Sequence, residues 1–595
     1  MKRFALKLLL ALVAPAGVFA ADIVLTDSIT TNTTWTKSNV YILDAKIYVE
    51  SGATLTIEPG TVIKGRPKAN PADATALVIA RGGKINAQGT PTEPIIFTAE
   101  SDTLNGNLSE NDRGLWGGVV ILGRAGINTA SGQGNVEGIP STEPRGTYGG
   151  SDDNDNSGVF RYVQIRHPGA IVAPNVELNG LTLGGVGRGT TVEYVEVFAS
   201  NDDGFEWFGG TVNTKYLISS FNDDDNFDWD EGYRGKGQFW FAIGATDKGN
   251  QAMEMDGGTS PEDGTPYAIP EIYNVTLIGS GATSSNSLSS GLIFRDNTGG
   301  KFTNAIIHDY RNYAVRIETE SAQAQDSAKR LAAGDLFIRN SIFGSFGAGT
   351  GDTQLFTAPN ATSGGAAPAV NYTVDHLKAV AQANKINTDP GLNSLVRTRT
   401  KTLDPRPTAA SPARSGARAA PADGFFSEVD YIGAFKNSNW AKGWSALSTL
   451  GYLTDADSAA EEPVIGGSSS KLVNISTRTP LAANGVVIGG FVITGSQPQT
   501  VLIRVVGPGL AGYGVTNPLA DPTLELFSGQ TVIASNDDWS GEQVASLSSR
   551  VGGFPLTAGS KDAAIVKTLQ PGGYTVQAKG KGAAGELIIE VYEVD

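Results

Sequence analysis

Two stretches of this chain repeat each other at an offset of 22 residues, and each contains a strand-like segment rich in acidic and aromatic residues. Phe205-Glu206-Trp207 recurs as Phe227-Asp228-Trp229, and Asp202-Asp203 recurs as Asp224-Asp225. A period of about 20 to 25 residues with no helical pattern inside it is typical of one coil of a stacked β solenoid. Because equivalent residues of successive coils stack on each other, the spacing predicts columns in which carboxylate lies above carboxylate.

A similar repeat precedes this one. Leu55-Thr56-Ile57 aligns with Leu77-Val78-Ile79 at the same offset, which predicts that these segments also stack, and Ile121 follows Ile79 by 42 residues, roughly two periods. The 75 glycines among 595 residues and the 18% charged content favour a turn-rich β protein over a helical or disordered one. A chain of this length exceeds one ordinary globular domain, so at least two structural units are expected.

The N-terminus has the pattern of a secretory signal peptide at residues 1–20. Lys2 and Arg3 precede an apolar run that ends at Ala20, and the run is too short for a membrane anchor. Because no second apolar span follows, we expect a secreted or cell-surface protein without a membrane span. The formal charge of -16 becomes -19 when the three basic residues of this segment are removed, which disfavours nucleic acid and anionic lipid as partners.

Several kinds of chemistry are excluded by composition. The chain has no cysteine, so disulfides, thiolate metal sites and cysteine nucleophiles are unavailable. It has three widely separated histidines and no HExxH zinc motif, GxSxG elbow or Walker loop. An exported protein of this kind must obtain its stability from repetition, burial or bound ions.

Four segments resemble known β-helix proteins. ATLTIEPGTVIKG at 53–65 and WGGVVILG at 116–123 are similar to the opening coils of right-handed parallel β-helices of the pectate-lyase-like superfamily. NDDGFEWFGG at 201–210 and DWDEGYRGKGQFWF at 228–241 resemble uncharacterised secreted bacterial proteins of that type. The resemblance implies an all-β chain with a right-handed parallel β-helix over residues 21–455. It specifies the fold but not the activity, because the superfamily contains lyases, hydrolases, adhesins and passive stalks.

The later coils are less regular. Strands are predicted at Ile272–Ile278, Phe302–Ile307 and Phe337–Phe343, and surface helices at Thr319–Ala333 and Asp375–Asn384. The basic stretch 397–418 is expected to pack along the acidic solenoid, with a polyanion-binding strip as the alternative. An aromatic cluster is predicted to close the open end of the solenoid as a C-terminal cap and consists of Phe425, Phe426, Tyr431, Phe435, Trp440 and Trp444.

Residues 456–470 form a predicted linker, and residues 471–595 a separate β-sandwich. Its strands are predicted at Leu472–Ser476, Val486–Thr494, Thr500–Val506, Thr523–Phe527, Thr531–Ser535, Ala563–Thr568, Tyr574–Lys579 and Leu587–Tyr592. DPTLELFSG, VIASNDDW and LQPGGYTVQAKG resemble bacterial prepeptidase C-terminal domains, which implies an accessory module for attachment or carbohydrate contact. Asn536-Asp537-Asp538 is either a calcium ligand set or a polar turn.

The acidic repeat extends into a third coil, Met253-Glu254-Met255-Asp256. In this register the inward side chains are Phe205, Trp207, Phe227, Trp229, Met253 and Met255. The candidate metal ligands are Asp202, Asp203, Glu206, Asp224, Asp225, Asp228, Asp230, Glu254 and Asp256. Carboxylates stacked at about 5 Å repel each other by roughly 1 kcal/mol in water and by more near a low-dielectric wall. A bound cation, neighbouring Arg or Lys, or exposure to solvent would relieve this, and calcium fits because it takes many oxygen ligands.

A second candidate calcium loop lies at Asp153–Gly158. Asp153, Asp155 and Ser157 occupy positions 1, 3 and 5 of an EF-hand-like loop, but position 12 is Gln164 instead of Glu. A Gly/Asp turn without an ion is the alternative.

Two arginines follow the acidic columns in the predicted register, Arg295 and Arg316. In polysaccharide lyases of the superfamily that the chain resembles, acidic residues hold calcium against a uronate and an arginine removes a sugar proton, so the resemblance implies these two as candidate catalytic residues. The alternative role is to neutralise the columns. We therefore expect a calcium-stabilised binding or adhesion protein that contacts a polysaccharide or surface glycan, with a lyase, a glycoside hydrolase or a structural stalk as alternatives.

Overall fold

The computed structural model describes residues 21–174, 176–258, 260–319, 326–359, 371–456, 474–493, 499–551, 553–570 and 572–594. The chain divides into two compact units, Met1–Pro463 and Val464–Asp595. The predicted signal peptide lies outside the described residues, as does nearly all of the predicted linker. None of the helices in the described ranges is long and apolar enough to cross a bilayer.

The first unit is a parallel β-helix, as predicted. One of its faces is a ten-stranded parallel sheet in which each coil contributes one strand. From the first coil to the last, the strands are Lys46–Val49, Ala76–Ile79, Gly118–Leu122, Leu181–Gly184, Phe205–Phe208, Phe227–Asp230, Gln251–Asp256, Ser290–Arg295, Val315–Ile317 and Phe356–Thr357.

The other faces form a single 18-stranded sheet that bends along a corner. Three long strands, Gly158–Arg166, Thr191–Phe198 and Asn213–Ser220, run through the corner. The other strands are Ala21–Leu25, Thr33–Trp35, Asn39–Leu43, Thr54–Ile57, Val62–Gly65, Lys84–Gln88, Ile95–Ala99, Lys236–Gln238, Phe241–Ile243, Glu271–Tyr273, Thr276–Ile278, Gly300–Thr303, Ile306–Tyr310, Leu336–Arg339 and Ile342–Phe346.

Asparagines turn the corner in the later coils. The three strands predicted between 272 and 343 exist, but each is divided in two by an asparagine with a left-handed backbone: Asn274 at φ 54°, Asn304 at φ 61° and Asn340 at φ 54°. Asparagine tolerates this conformation better than most residues. The asparagine ahead of each apolar run is therefore the corner of its coil.

The register predicted for the acidic repeat is confirmed, and the register predicted for the first coils is wrong. Phe205 pairs with Phe227, and Phe227 pairs with Met253. Leu55, by contrast, pairs with Ile85 rather than Leu77, and Ile121 lies one coil rather than two beyond Ile79. Short apolar strands have similar sequences on every face of a solenoid. The 22-residue offset in the first coils therefore matched Leu55 and Leu77, which belong to different sheets.

The bore contains the apolar side chains predicted for it. Phe205, Trp207, Phe227, Trp229, Met253 and Met255 are fully buried. Trp207 stacks on Trp240 across the bore, with ring centroids 5.2 Å apart. This packing leaves the alternate residues of the same strands on the outer face.

Short elements decorate the coils. The two-stranded sheets pair Gly134–Asn135 with Thr147–Tyr148, Ile171–Ala173 with Val176–Glu177, and Leu392–Ser394 with Asp404–Pro407. The α-helices are Ser327–Ala333, Asp352–Leu355, Tyr372–Lys378 and Ala446–Thr449, and the 3-10 helices are Pro71–Asp73, Pro144–Gly146 and Val380–Gln382. The two predicted surface helices thus exist with shifted bounds, and residues 320–325 of the first lie outside the described residues.

The end of the solenoid is closed differently from the prediction. Helix Tyr372–Lys378 packs against the last strands and inserts Leu377, which is 1% exposed, into the core of the solenoid. The aromatic segment instead lies along the side of the solenoid. Trp444 packs edge-on against the rings of Tyr162 and Tyr194, with centroids 5.8 and 6.0 Å away. The stacked tyrosines of the corner offer an apolar surface that Trp444 covers.

We call residues 391–456, which run along this side, the strap. Two of its basic residues bind the solenoid as predicted, whereas Lys401, Arg406 and Arg414 bind other residues of the strap. Arg397 forms an ion pair of 3.0 Å with Asp309, and Arg399 donates a 2.8 Å hydrogen bond to the carbonyl of Gly106. These contacts favour the packing role over a polyanion-binding strip.

The second unit is a β-sandwich, as predicted, and all eight predicted strands are present. One antiparallel sheet contains, in spatial order, Asn474–Leu481, Gly585–Glu593, Gln499–Val506 and Ala563–Leu569. The other contains Val486–Ile493, Gly572–Gly580, Pro522–Ser528 and Thr531–Asn536. Helix Glu542–Arg550 and the 3-10 helix Pro508–Tyr513 were not predicted.

Candidate functional site

The outer surface of the ten-stranded sheet carries a contiguous set of carboxylates in three successive coils. Glu206, Asp228 and Glu254 occupy equivalent positions in adjacent strands and form one column. Asp230 and Asp256 follow two residues later in their strands and so point to the same side. Adjacent strands lie about 4.8 Å apart, which sets the spacing of the acids. We call this surface, together with the aspartates of the preceding turns, the acidic face.

The turns before these strands add a second column, and hydrogen bonds hold it in place. Asp203 Oδ1 accepts a 2.9 Å hydrogen bond from the backbone N–H of Asp225, and Asp225 accepts one from the N–H of Gln251. The N–H of Asp203 in turn donates to Asn179 Oδ1 at 3.2 Å. Each side chain thus binds the backbone of a neighbouring coil, which fixes the carboxylates while leaving them close together.

Seven of the nine predicted metal ligands converge. Their oxygens form three triads, each with ligand atoms within 4.8 Å of one another: Asp202, Asp203 and Asp224; Asp203, Glu206 and Asp228; and Asp225, Asp228 and Glu254. Asp203 and Asp228 each belong to two triads, so the triads form a continuous row. Asp230 and Asp256 belong to none of the triads.

Burial and mutual repulsion make these groups hard to ionise. Burial, followed by the charges of neighbouring carboxylates, raises the pKa of Asp203, Glu206 and Asp228 well above the ordinary range. The same causes raise the pKa of Asp202 to about 8. Burial also raises the pKa of Glu254 to about 7, although the charge of Arg295 opposes it. The row is therefore a site where a bound cation would replace protons.

Asp228 occupies the centre of this row. Its Oδ1 is enclosed by protein and has no hydrogen-bond donor. An enclosed carboxylate oxygen without a donor is costly unless a proton or a cation satisfies it. The donor set of the row is entirely hard oxygen, which suits calcium better than transition metals. The residues therefore fit the calcium predicted from the sequence.

Arg295 neutralises the far end of the acidic face. It pairs with Asp256 through two hydrogen bonds of 2.9 and 2.7 Å and also contacts Glu254. Burial alone would lower the pKa of Arg295, but the hydrogen bonds and the charges of the two acids outweigh it and raise the pKa. A guanidinium held in this way stays protonated, which disfavours Arg295 as a general base.

Arg316 lies on the same wall, as the predicted register required, but makes different contacts. It follows Glu254 and Ile293 in the first column. Its guanidinium lies 4.3 Å from the ring centroid of Tyr313, and its buried Nε has no hydrogen-bond acceptor. Among the described residues, Arg316 forms no ion pair within 4.0 Å.

Further acids at the edge of the site come from loops that the repeat did not reveal. Glu137 and Glu177 lie close enough to raise the pKa of Asp202 through their charges. Glu231 accepts a 2.8 Å hydrogen bond from the hydroxyl of Tyr148. Glu137 and Glu177 lie in insertions between coils, where no periodic signal marks which residues return to the wall.

A basic cleft runs along the turns of the preceding coils up to the first turn of the acidic face. It has a volume of about 330 Å³ and is lined by Trp116, Ile171 and Asn201, with the cationic residues Arg66, Lys68 and Arg113. Arg66 and Lys68 pair with Asp44. Nη2 of Arg113 is buried without a hydrogen-bond acceptor, 3.7 Å from Asp247. Asn201 directly precedes Asp202, so the cleft and the first triad share one turn.

The residues of the weaker candidate calcium loop at 153–158 are bonded to neighbouring parts of the solenoid. Asp153 pairs with Arg234 and accepts a 3.1 Å hydrogen bond from the N–H of Gly126, while Asp155 accepts one of 3.0 Å from the N–H of Arg124. The N–H of Ser157 donates to Thr190 at 2.8 Å. Each residue thus has a different partner, which favours the alternative of a polar turn without an ion.

In the second unit, Asp537 and Asp538 approach Asp521 to form another acidic triad. Here two lysines supply the neutralising charge: Lys561 lies 2.9 Å and Lys581 3.2 Å from carboxylate oxygens of Asp521. This cluster resembles an ordinary surface ion-pair network and differs in that respect from the buried row of the first unit.

Together, the coils and this wall define a β-solenoid protein with an acidic outer face. The chain belongs to the pectate-lyase-like β-helix domain family, whose model matches residues 27–389. Among solved structures, the tailspike protein of Acinetobacter phage vB_ApiP_P1 aligns with 92% of this chain and 82% of its own at 10% identity and a TM-score of 0.17, a likeness that carries no argument. No curated protein matches the sequence. The likeness of the second unit to prepeptidase C-terminal domains stays a prediction.

Proposed function

We propose that this chain is an exported protein that binds acidic polysaccharide at the acidic face, with calcium held between protein and glycan. The observation that carries the proposal is the buried row of carboxylates centred on Asp228, whose Oδ1 has no donor. Membership in a pectate-lyase-like family supports a polysaccharide ligand, and the predicted signal peptide supports a secreted or cell-surface location.

The triads would hold more than one cation. Asp203 and Asp228 are each shared by two triads, so they are suited to bridge neighbouring ions. Calcium takes about six to eight oxygen ligands, and three carboxylates leave positions open for oxygens from another molecule. When bound, calcium would offset the charge of the row and bind sugar carboxylates or hydroxyls from the solvent side.

The surroundings fit a chain-like ligand. The acidic face extends over three coils, about 10 Å from the first acidic strand to the third, and the basic cleft lies beside its first turn. A carboxylated sugar chain could meet cations on the triads and the partly exposed side chains of Arg66 and Lys68 in the cleft. Such a surface binds through charge and therefore depends on salt.

The test is a binding measurement with the mature protein. Retention by an acidic polysaccharide, polygalacturonate, and by an uncharged glucan is compared with calcium and with chelator, using affinity electrophoresis. We expect retention only by the acidic polysaccharide and only when calcium is present. Asp228→Asn should lose this retention. The control Asp423→Asn, which removes an acid paired with Lys236 away from the acidic face, should behave like the natural protein. Absence of calcium-dependent retention by several acidic polysaccharides would overturn the proposal.

The position of Arg316 supports a second candidate function, that of a polysaccharide lyase. It is a guanidinium without an acidic partner among the described residues, in the same column as Glu206, Asp228 and Glu254. A lyase releases unsaturated products that absorb ultraviolet light. Calcium-dependent release that is lost in Arg316→Gln would establish the lyase over the binding protein, and no release would support binding alone.

A further inference from the structure

The strand Val486–Ile493 is an edge of the C-terminal sandwich that lacks the usual protection. It pairs with Gly572–Gly580 on one side, and within the described part of the chain no strand pairs with its other side. Its eight residues contain no charge and no proline, and its register has no bulge. Ile488 and Val492 point outward and are 63% and 69% exposed.

The other three edges of the sandwich are protected. Asn474–Leu481 contains Arg478 and Pro480, and Ala563–Leu569 contains the exposed Lys567. Thr531–Asn536 is short and has a register shift against its neighbour. Charges, prolines and bulges are the devices that keep sheet edges from pairing with other chains. Their absence from one edge of the same domain therefore marks that edge as a pairing surface.

We propose that this edge pairs antiparallel with the same strand of a second copy, joining two sandwiches through a continuous eight-stranded sheet. With Gly490 opposite Gly490 of the second copy, Ile488 lies opposite Val492 on the outer side. On the inner side, Phe491 then lies opposite Gly489, whose Cβ position has no neighbour closer than 3.6 Å. An aromatic ring over a cross-strand glycine is a favourable pair, so the strand is complementary to itself.

Charge does not oppose this association. Residues 474–594 contain seven Lys and Arg against nine Asp and Glu, a net charge of -2, whereas the whole chain carries -16. A two-fold interface needs a surface that complements itself, and an uncharged strand meets this requirement at both copies. The inference is independent of the function proposed for the acidic face.

Two measurements on the full mature chain test the pairing. Light scattering across a concentration series should show a dimer, and Ile488→Lys should raise its dissociation constant at least about a hundredfold, because symmetry introduces the charge twice. Val532→Lys, at a residue 46% exposed on the opposite edge of the same sheet, is the matched control and should dimerise normally. A natural chain that is monomeric throughout, or an Ile488→Lys chain that dimerises normally, overturns the proposal.

The register of the paired strands can be tested separately by disulfide cross-linking. Because the chain has no cysteine, a single introduced cysteine can pair only with its copy in the second chain. A Cβ at Gly490 would meet no atom closer than 3.9 Å, so Gly490→Cys is tolerated. Directly opposed residues of antiparallel strands are close enough for a disulfide. Mild oxidation should convert Gly490→Cys to a covalent dimer much faster than Val532→Cys. Equal rates would overturn the pairing.

Discussion

Asp203 Oδ1 accepts a 2.9 Å hydrogen bond from the backbone N–H of Asp225, one coil further along the solenoid. The equivalent bond recurs from Asp225 to the N–H of Gln251. These bonds lock each carboxylate to the next coil, so the acids cannot relieve their repulsion by moving apart. Protons or cations must do so, which makes stability depend on both.

The first expectation concerns pH. The pKa of Asp202 is raised to about 8 from 3.8, and that of Glu254 to about 7 from 4.5. Groups with raised folded-state pKa contribute stability that is fully present below the unfolded values and is lost as pH rises through the folded values. Without calcium, the melting temperature of the first unit should therefore fall as pH rises from 5 to 8, in a window set by these two pKa values.

Calcium should reverse that loss. At about a hundred times its Kd, a ligand adds about 2.7 kcal/mol per site, so we expect a rise of several degrees at pH 8 and little effect at pH 5, where protons occupy the row. Calorimetry of dialysed protein with and without calcium at the two pH values measures this. A calcium effect of the same size at both pH values would contradict it.

The second expectation concerns the centre of the row. Asp228→Asn keeps the size of the side chain and removes the charge that two triads share. In chelator at pH 8 it should stabilise the first unit by about 1 to 2 kcal/mol, because an amide needs no proton to stay neutral beside Glu206 and Glu254. Calorimetric titration should show weaker calcium binding and fewer bound ions. Asp423→Asn serves as the control, and unchanged calcium binding in Asp228→Asn would place the ions elsewhere.

The third expectation concerns Arg295, which offsets Glu254 and Asp256. Arg295→Gln should cost about 2 kcal/mol in urea unfolding, between the values typical of exposed and of buried pairs. The loss should be larger in chelator than in calcium, because a cation can replace the missing charge. Arg188→Gln, which removes an exposed arginine 3.7 Å from Asp153, should cost little. An equal loss of stability with and without calcium would show that Arg295 does not offset the charge of the ion site.

The sequence predicted the acidic face because Phe205-Glu206-Trp207 carries bulky inward residues and a charged outward residue in one unmistakable triplet. Its recurrence gave the correct register. The register predicted from the Leu55 and Leu77 segments was wrong, because apolar alternation alone does not identify which sheet of a coil a strand belongs to. The contributions of Glu137 and Glu177 depend on loop conformation, which has no period.

The path of the strap could not be predicted from the sequence either. Its aromatic composition indicated that it covers an apolar surface. Two such surfaces exist, the open end of the solenoid and the ladder of stacked tyrosines at its corner. The choice depended on Tyr162, Tyr194 and Tyr216, whose rings stack at 4.4 and 4.2 Å only because all three adopt left-handed backbones at the corner. No sequence pattern marked those backbones in advance.

The last expectation concerns how the strap is held. Glu196 is fully buried, and its carboxylate accepts hydrogen bonds from the N–H groups of Ala446 and Leu447 and from the hydroxyl of Ser220 at 3.0 Å. Glu196→Ala leaves the two N–H groups without an acceptor, at a cost of about 1 to 3 kcal/mol, whereas the Ser220 hydroxyl keeps the carbonyl of Val197. Glu196→Gln keeps an amide oxygen that can accept, so its effect should be smaller.

Because the lost contacts join the strap to the solenoid, the loss should appear as local opening. Limited proteolysis with mass spectrometry should show faster cleavage within residues 391–456 in Glu196→Ala, intermediate cleavage in Glu196→Gln, and an intact solenoid in both. Glu193→Ala, in the same strand and paired with Arg161 at 2.8 Å, is the matched control and should leave the strap protected. If Glu196→Ala and Glu193→Ala are cleaved alike, then the aromatic contacts of Trp440 and Trp444 hold the strap without help from this carboxylate.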